Sequence, residues 1–82
     1  MVTSKTPKID LHGEPRSLVY ALVTEFINYQ SLLGVNELVI IHGKSSDILK
    51  NEVHEVLKNN SKVDDYYLNN WNLGETIVLL KK

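Results

Sequence analysis

The sequence contains no cysteine, which excludes a disulfide framework, a thiolate nucleophile and any cysteine-based zinc site. That absence fits a cytoplasmic protein, and a cytoplasmic location is the expectation. No apolar run approaches the roughly 20 residues of a membrane span, and residues 1–8 lack the apolar stretch of a signal peptide. Neither membrane insertion nor export is therefore expected. A surplus of one charge is missing too: nine Lys and Arg stand against ten Asp and Glu, a net charge of -1. Such a balance is a poor electrostatic footprint for a nucleic-acid binder, so any contact of that kind must rest on local geometry. Internal repeats and low-complexity segments are also absent.

What is present suits one small folded unit. Eighty-two residues sit at the low end of a single domain. A chain of that size buries only about 60% of the surface its unfolded form exposes. With no disulfide to help, packing must stabilise it, and the 43% hydrophobic content is sufficient for a soluble core. Residues 1–7 read as a disordered lead-in or the end of a linker, and residues 8–82 as the domain, expected to be monomeric.

The patterning gives an order of elements. Lys8-Ile9-Asp10-Leu11-His12 alternates apolar and polar side chains, the period of a strand, and Gly13 breaks it. From Glu14 to about Leu33 an amphipathic helix is expected, with Leu18, Leu22, Phe26 and Tyr29 as its apolar line, Val19, Val23 and Ile27 beside it, and Gly34 as its stop. Glu37 to His42 is a nearly continuous run of β-branched residues, suited to a central strand, and ends at Gly43. Ser45, Ser46 and Asp47 are good helix N-caps, followed by a stripe of Ile48, Leu49, Val53, Val56 and Leu57 up to Lys58. Val63–Leu68 and Glu75–Leu80 read as two strands of a hairpin joined by the polar stretch Asn69–Gly74. The pattern predicts an α/β two-layer sandwich of order β-α-β-α-β-β. Right-handed crossovers place both helices on one face of a mixed four-stranded sheet, with the final pair adding an antiparallel edge.

Ligands of open α/β sheets bind where the carboxyl ends of parallel strands line up, and His12 and His42 both fall there. Each is followed by glycine and a helix start, so two imidazoles, two turns and two helix N-termini converge. An imidazole pair can activate a ribose hydroxyl and protonate a leaving oxygen, and Asp10 can orient or charge one of the rings. Asp10, His12 and His42 are thus the candidate catalytic residues. A strand-end histidine bonded to nearby backbone is the commoner arrangement, and an aspartate on a solvated sheet face is ordinary. The same three residues lack recognisable metal-ligand spacing, so neither a metal nor a cofactor is expected. His54, on the polar side of the second helix, reads as a solvated surface residue.

With these residues in hand the chain resembles the Smr (small MutS-related) domain, over about Lys8 to Leu80. Ile9-Asp10-Leu11-His12-Gly13 is similar to that family's Leu-Asp-x-His-Gly motif with one aliphatic exchange. His42-Gly43-Lys44-Ser45-Ser46-Asp47 aligns with its His-Gly-x-Gly or His-Gly-Lys-Gly-Thr-Gly loop, and Gly74-Glu75-Thr76-Ile77-Val78 with its closing strand. The resemblance implies a fold similar to the C-terminal domain of translation initiation factor three. It implies a partner that is DNA or RNA, with endonuclease chemistry at Asp10 and His12 and binding at His42 to Lys44. Gly13, Arg16, Gly43, Lys44, Ser45, Ser46 and Lys50 are the expected nucleic-acid contacts, with Lys8 outside the loops and Tyr66, Tyr67 and Trp71 as base-stacking candidates. The alternative is a non-catalytic module that directs a larger protein to nucleic acid or the ribosome, or binds protein. Two later glycines of the family's loop are replaced here by Ser45 and Asp47. A carboxylate at a helix N-terminus competes for the N–H groups and dipole that a phosphate would use, so weak or selective engagement is expected.

Overall fold

A computed structural model describes residues 2–45 and 47–82. In chain order it comprises β1 (Lys8–Asp10), a 3-10 turn (Arg16–Leu18) leading into α1 (Val19–Leu32), β2 (Glu37–Ile41), α2 (Asp47–Lys58), β3 (Val63–Asn69) and β4 (Asn72–Leu80). The four strands form one sheet in the order β1-β2-β4-β3. β1 pairs parallel to β2, with Ile9 opposite Ile40, whereas β4 runs antiparallel to both β2 and β3. The final hairpin therefore joins the sheet through its second strand, so β4 is interior and β3 forms the edge. Within residues 2–7, Thr3 to Thr6 closes a hydrogen-bonded turn, and the Pro7 carbonyl accepts the Val39 N–H at 2.9 Å.

Strand alternation decides which face is covered. Leu38 and Ile40 of β2 and Val78 and Leu80 of β4 share one core with Leu11, the α1 residues Val19, Val23 and Ile27, and the α2 residues Leu49, Val53, Val56 and Leu57. Both helices thus lie on one face. On the other face Val39 and Ile77 stand opposite each other and are buried outside that core.

Two expectations shift. The buried line of α1 is Val19, Val23, Ile27 and Gln30, while Leu18 and Tyr29 are exposed and Leu22 and Phe26 only flank the core. The apolar face of this helix is broad, and the slender β-branched residues let it approach the sheet more closely than Leu18 and Tyr29 would. In α2, Ile48 likewise turns outward. The second shift is in the hairpin, where β3 and β4 extend to pair Asn69 with Asn72, leaving only Asn70 and Trp71 as the turn. Asparagine side chains hold this tip together: Asn69 Oδ1 accepts the Trp71 N–H and Asn72 Oδ1 the Gly74 N–H, both at 3.0 Å. Gly34 does stop α1, in a Schellman arrangement with Val35 N–H on the Gln30 carbonyl and Gly34 N–H on that of Ser31.

The α1 register is testable by truncation. Ile27→Ala removes a fully buried side chain and is expected to destabilise the domain by about 2–5 kcal/mol in urea unfolding. Tyr29→Ala should stay within about 0.5 kcal/mol.

Candidate functional site at the ends of β1 and β2

The first loop turns sharply after β1. Leu11 N–H reaches the Ile41 carbonyl at 2.7 Å, one residue past the strand, and anchors its side chain in the core. Asp10 Oδ1 then accepts the His12 N–H at 2.9 Å, and Glu14 N–H closes back on the Leu11 carbonyl at 2.9 Å. Gly13 takes the third position of that turn with φ 85°, a conformation that suits glycine. His12 is left exposed at the corner. The Asp10 carboxylate is thereby tied to the main chain of His12 rather than to its ring.

The second loop is held by β4. The Gly74 carbonyl accepts two donors, His42 N–H at 2.9 Å and Gly43 N–H at 3.0 Å. Gly74 is buried so closely under this loop that a Cβ there would lie 3.1 Å from the Gly43 carbonyl carbon and from Lys44 Cγ. Gly43 has φ 89°, and a Cβ on it would lie 3.3 Å from Cδ2 of His12. The His12 ring therefore rests on Gly43, and the two loops form one open cleft of about 360 Å³ lined by His12, Gly13, Glu14, Arg16, His42, Ser45, Ile48 and Leu49.

His42 lines the floor of that cleft with its ring turned inward. Only 1% of the residue is exposed; its Nε2 lies 2.9 Å from Thr76 Oγ1 and its Nδ1 3.2 Å from the Gly43 carbonyl. His54 Nε2 lies 2.8 Å from the same hydroxyl, and its ring meets Tyr66 edge-on with centroids 5.1 Å apart. His54 is thus not the solvated surface residue expected. It stands one helical step of about 100° from Val53, at the border of the buried stripe, where the sheet comes within reach. Burial pushes the His42 imidazole below the usual histidine value of 6.5, with Lys50 adding to the effect and the Gly43 carbonyl and Glu75 opposing it. Burial likewise lowers His54, helped by His42 and Lys50.

The expected cations carry acidic company. Arg16 Nε pairs with Glu52 Oε1 at 3.2 Å, and Lys50 Nζ with Asp47 Oδ1 at 3.5 Å. Lys44 and Ser45 are exposed beside the cleft, Lys8 is exposed on β1, and Asp47 opens α2. Ser46, expected as a helix cap and a phosphate donor, lies outside the described residues. Among the described residues no three His, Asp or Glu side chains converge in a way that would hold a metal ion. Thr76, His54 and Gly74 are the members of this region whose role went unread in the sequence. Trp71 stands 95% exposed at the hairpin tip, at the same end of the sheet as the cleft.

Comparison with known proteins places the fold in a known family. A family model of the Smr domain matches residues 9–81. Over 75 residues the chain is 37% identical to an endonuclease MutS2 of Helicobacter pylori, covering 92% of this chain and 10% of that protein. It is 33% identical over 79 residues to an endonuclease MutS2 of Ligilactobacillus salivarius, covering 93% and 10%. The chain thus spans about a tenth of the length of the curated relatives it matches. Among solved structures, the Smr domain of Thermus thermophilus MutS2 superposes with a TM-score of 0.89 at 22% identity, covering 94% of this chain and all of that one. YdaL, a stand-alone small MutS-related protein from Escherichia coli, gives 0.87 at 25% identity, covering 96% and 70%.

The buried His42 and the half-buried His54 carry a pH signature. Both are lowered in the fold, so the unfolded chain binds protons first as pH falls past 6.5. Their stabilising contribution is complete above that pH and is lost as pH descends through the folded values. The urea midpoint should be lower at about pH 5.5 than at about pH 8, and the difference should shrink in His54→Gln. A midpoint independent of pH in this window is the contrary result.

Proposed function

The chain belongs to the Smr domain family, and from that membership we propose that it binds nucleic acid at the His12–Gly43 cleft and cleaves RNA there with His12 as the proton-transferring group. The observation that carries this reading is the seating of the His12 ring on Gly43, which brings the Asp10–Gly13 turn and the His42–Ser45 loop to one opening. His12 is the imidazole of this cleft that is open to solvent. In the proposed step it accepts the 2'-hydroxyl proton while that oxygen attacks phosphorus; the bond to the 5'-oxygen breaks, and the leaving oxygen takes a proton back from the imidazolium. Asp10 serves by fixing the turn that presents His12. The N–H groups of His42 and Gly43 are already used by Gly74, so phosphate holding falls to Lys44, Ser45, Ser46 and Arg16, with Gly13 and Gly43 leaving room for the backbone.

Trp71 extends this surface. It lies three residues before Gly74, a span of about 10 Å along the strand, which suits an unpaired base next to a phosphate held at Lys44. Its exposed ring offers a stacking platform that no packing need explains.

A second reading, binding without cleavage as a module of a longer protein on nucleic acid or the ribosome, is favoured by two observations. His42 has both ring nitrogens engaged below the surface, and Arg16 and Lys50 are each paired with a carboxylate.

Labelled single-stranded RNA and DNA incubated with the chain in chelator separate these readings. Cleavage of RNA is expected, falling by about 100-fold or more in His12→Ala with binding nearly unchanged; binding without products in the unaltered chain selects the second reading. No binding to either at moderate salt overturns both. Asp47→Asn should tighten binding and steepen its salt dependence. Trp71 is the single tryptophan, so its fluorescence should be quenched by single-stranded RNA, and Trp71→Ala should weaken binding by about 1–3 kcal/mol.

A further inference from the structure

We infer that Thr76 and His54 are positioning residues for this cleft: the Thr76 hydroxyl, fed by His54, locks His42 in one tautomer, and His42 in turn fixes Gly43, the seat of the His12 ring. Its effect on cleavage rests on the function proposed above; the hydrogen-bond order itself does not.

The direction of the chain follows from which atoms can donate. Nδ1 of His42 faces the Gly43 carbonyl, which only accepts, so Nδ1 carries the proton. Nε2 of His42 is then a bare acceptor, and its partner at 2.9 Å is the Thr76 hydroxyl, which must donate to it. Having spent its one proton, Thr76 Oγ1 accepts from His54, 2.8 Å away, whose Nε2 is therefore protonated. Each buried polar group has a partner in this single order, and each is neutral. A further proton on His42 Nε2 would aim two N–H groups at Oγ1 and leave the hydroxyl proton without its acceptor.

The chain links three elements to the loop. His54 belongs to α2, Thr76 to β4 opposite Ile40, and His42 follows β2. The groups facing the two imidazoles are Lys50 of α2, Glu75 of β4 and the Tyr66 ring of β3. His42 reaches Gly43 through its ring and, at the main chain, shares the Gly74 carbonyl with it. A His42 ring free to turn over would release the Gly43 carbonyl and let the loop under His12 shift. Misplacement of a reacting group by about 1 Å is enough to lower a rate by up to about 100-fold.

Nitrogen-15 NMR of the histidine rings in the intact chain, without nucleic acid at about pH 7.5, tests the order directly. His42 should be the Nδ1–H tautomer and His54 the Nε2–H tautomer; the opposite assignment at His42 overturns the inference. Thr76→Val keeps the side-chain shape but removes both donor and acceptor. It should leave His42 as a mixture of tautomers, move the Gly43 amide and His12 ring signals, and lower RNA cleavage by about ten- to a hundredfold, whereas Thr76→Ser restores all three. Unmoved Gly43 and His12 signals in Thr76→Val count against it. Should Thr76→Val fail to fold, His54→Ala is read instead: it removes only the donor at the start of the chain, and the same signals must move in the same direction. Because the ring signals are read without RNA, a chain that cleaves nothing but shows the expected tautomers disproves the proposed activity while leaving the relay intact.

Discussion

One carbonyl ties the loop after β2 to the closing hairpin. Gly74 O receives N–H bonds from both His42 and Gly43, and the absence of a side chain on Gly74 lets the loop after β2 lie directly on β4. Without that contact β4 would still pair with β2 up to Glu75, opposite Ile41, but the loop beyond would have no floor. The same contact sets the height of Gly43, and the height of Gly43 sets where the His12 ring comes to rest. A site assembled from two loops is therefore referenced to a single interior strand. This is why the final hairpin, remote in sequence from His12, belongs to its description.

That geometry has an electrostatic counterpart. Around the cleft Arg16 of the 3-10 turn and Lys50 of α2 each sit beside an acid: Arg16 against Glu52, Lys50 against Asp47. In each pair one partner is well exposed to solvent, so the pairs add little to stability, but they reduce the net positive potential offered to a polyanion. With a chain charge of -1 there is no bulk attraction to compensate. The nucleic-acid binding proposed above would therefore rest on shape, on a few donors such as Lys44 and on the exposed Trp71 ring. Single strands, which offer unstacked bases and a flexible backbone, fit those means better than a rigid duplex.

Much of the fold was legible because periodicity and breakers acted together. β2 and the closing strand were marked by β-branched runs, α2 ended at Lys58 as its stripe implied, and Gly34 stopped α1. The rotation of α1 was not legible, since its apolar residues cover more than half the helix and only the partner surface chooses among them. Sequence order also concealed the interior place of β4, which depends on how a hairpin docks. At the site, His12 and Gly43 could be read from strand-end spacing, whereas His54 could not. A polar residue at the border of a helical stripe looks solvated until the opposing strand is known, and Thr76 lies 22 residues away in the chain.

The His42–Thr76–His54 cluster then raises a question that stability alone does not answer. Buried polar groups in a domain this small forgo hydrophobic burial, and replacing a satisfied polar set by apolar residues of the same shape is often neutral or stabilising. A valine at Thr76 would preserve the packing volume, and aliphatic side chains would fill the two ring sites. What apolar residues lack is direction. A hydrogen-bond chain with one consistent donor order admits one ring orientation, while an apolar contact tolerates several. At the floor of a cleft whose upper edge is the His12 ring, that difference in orientational definition is the physical advantage that sets against the stability forgone.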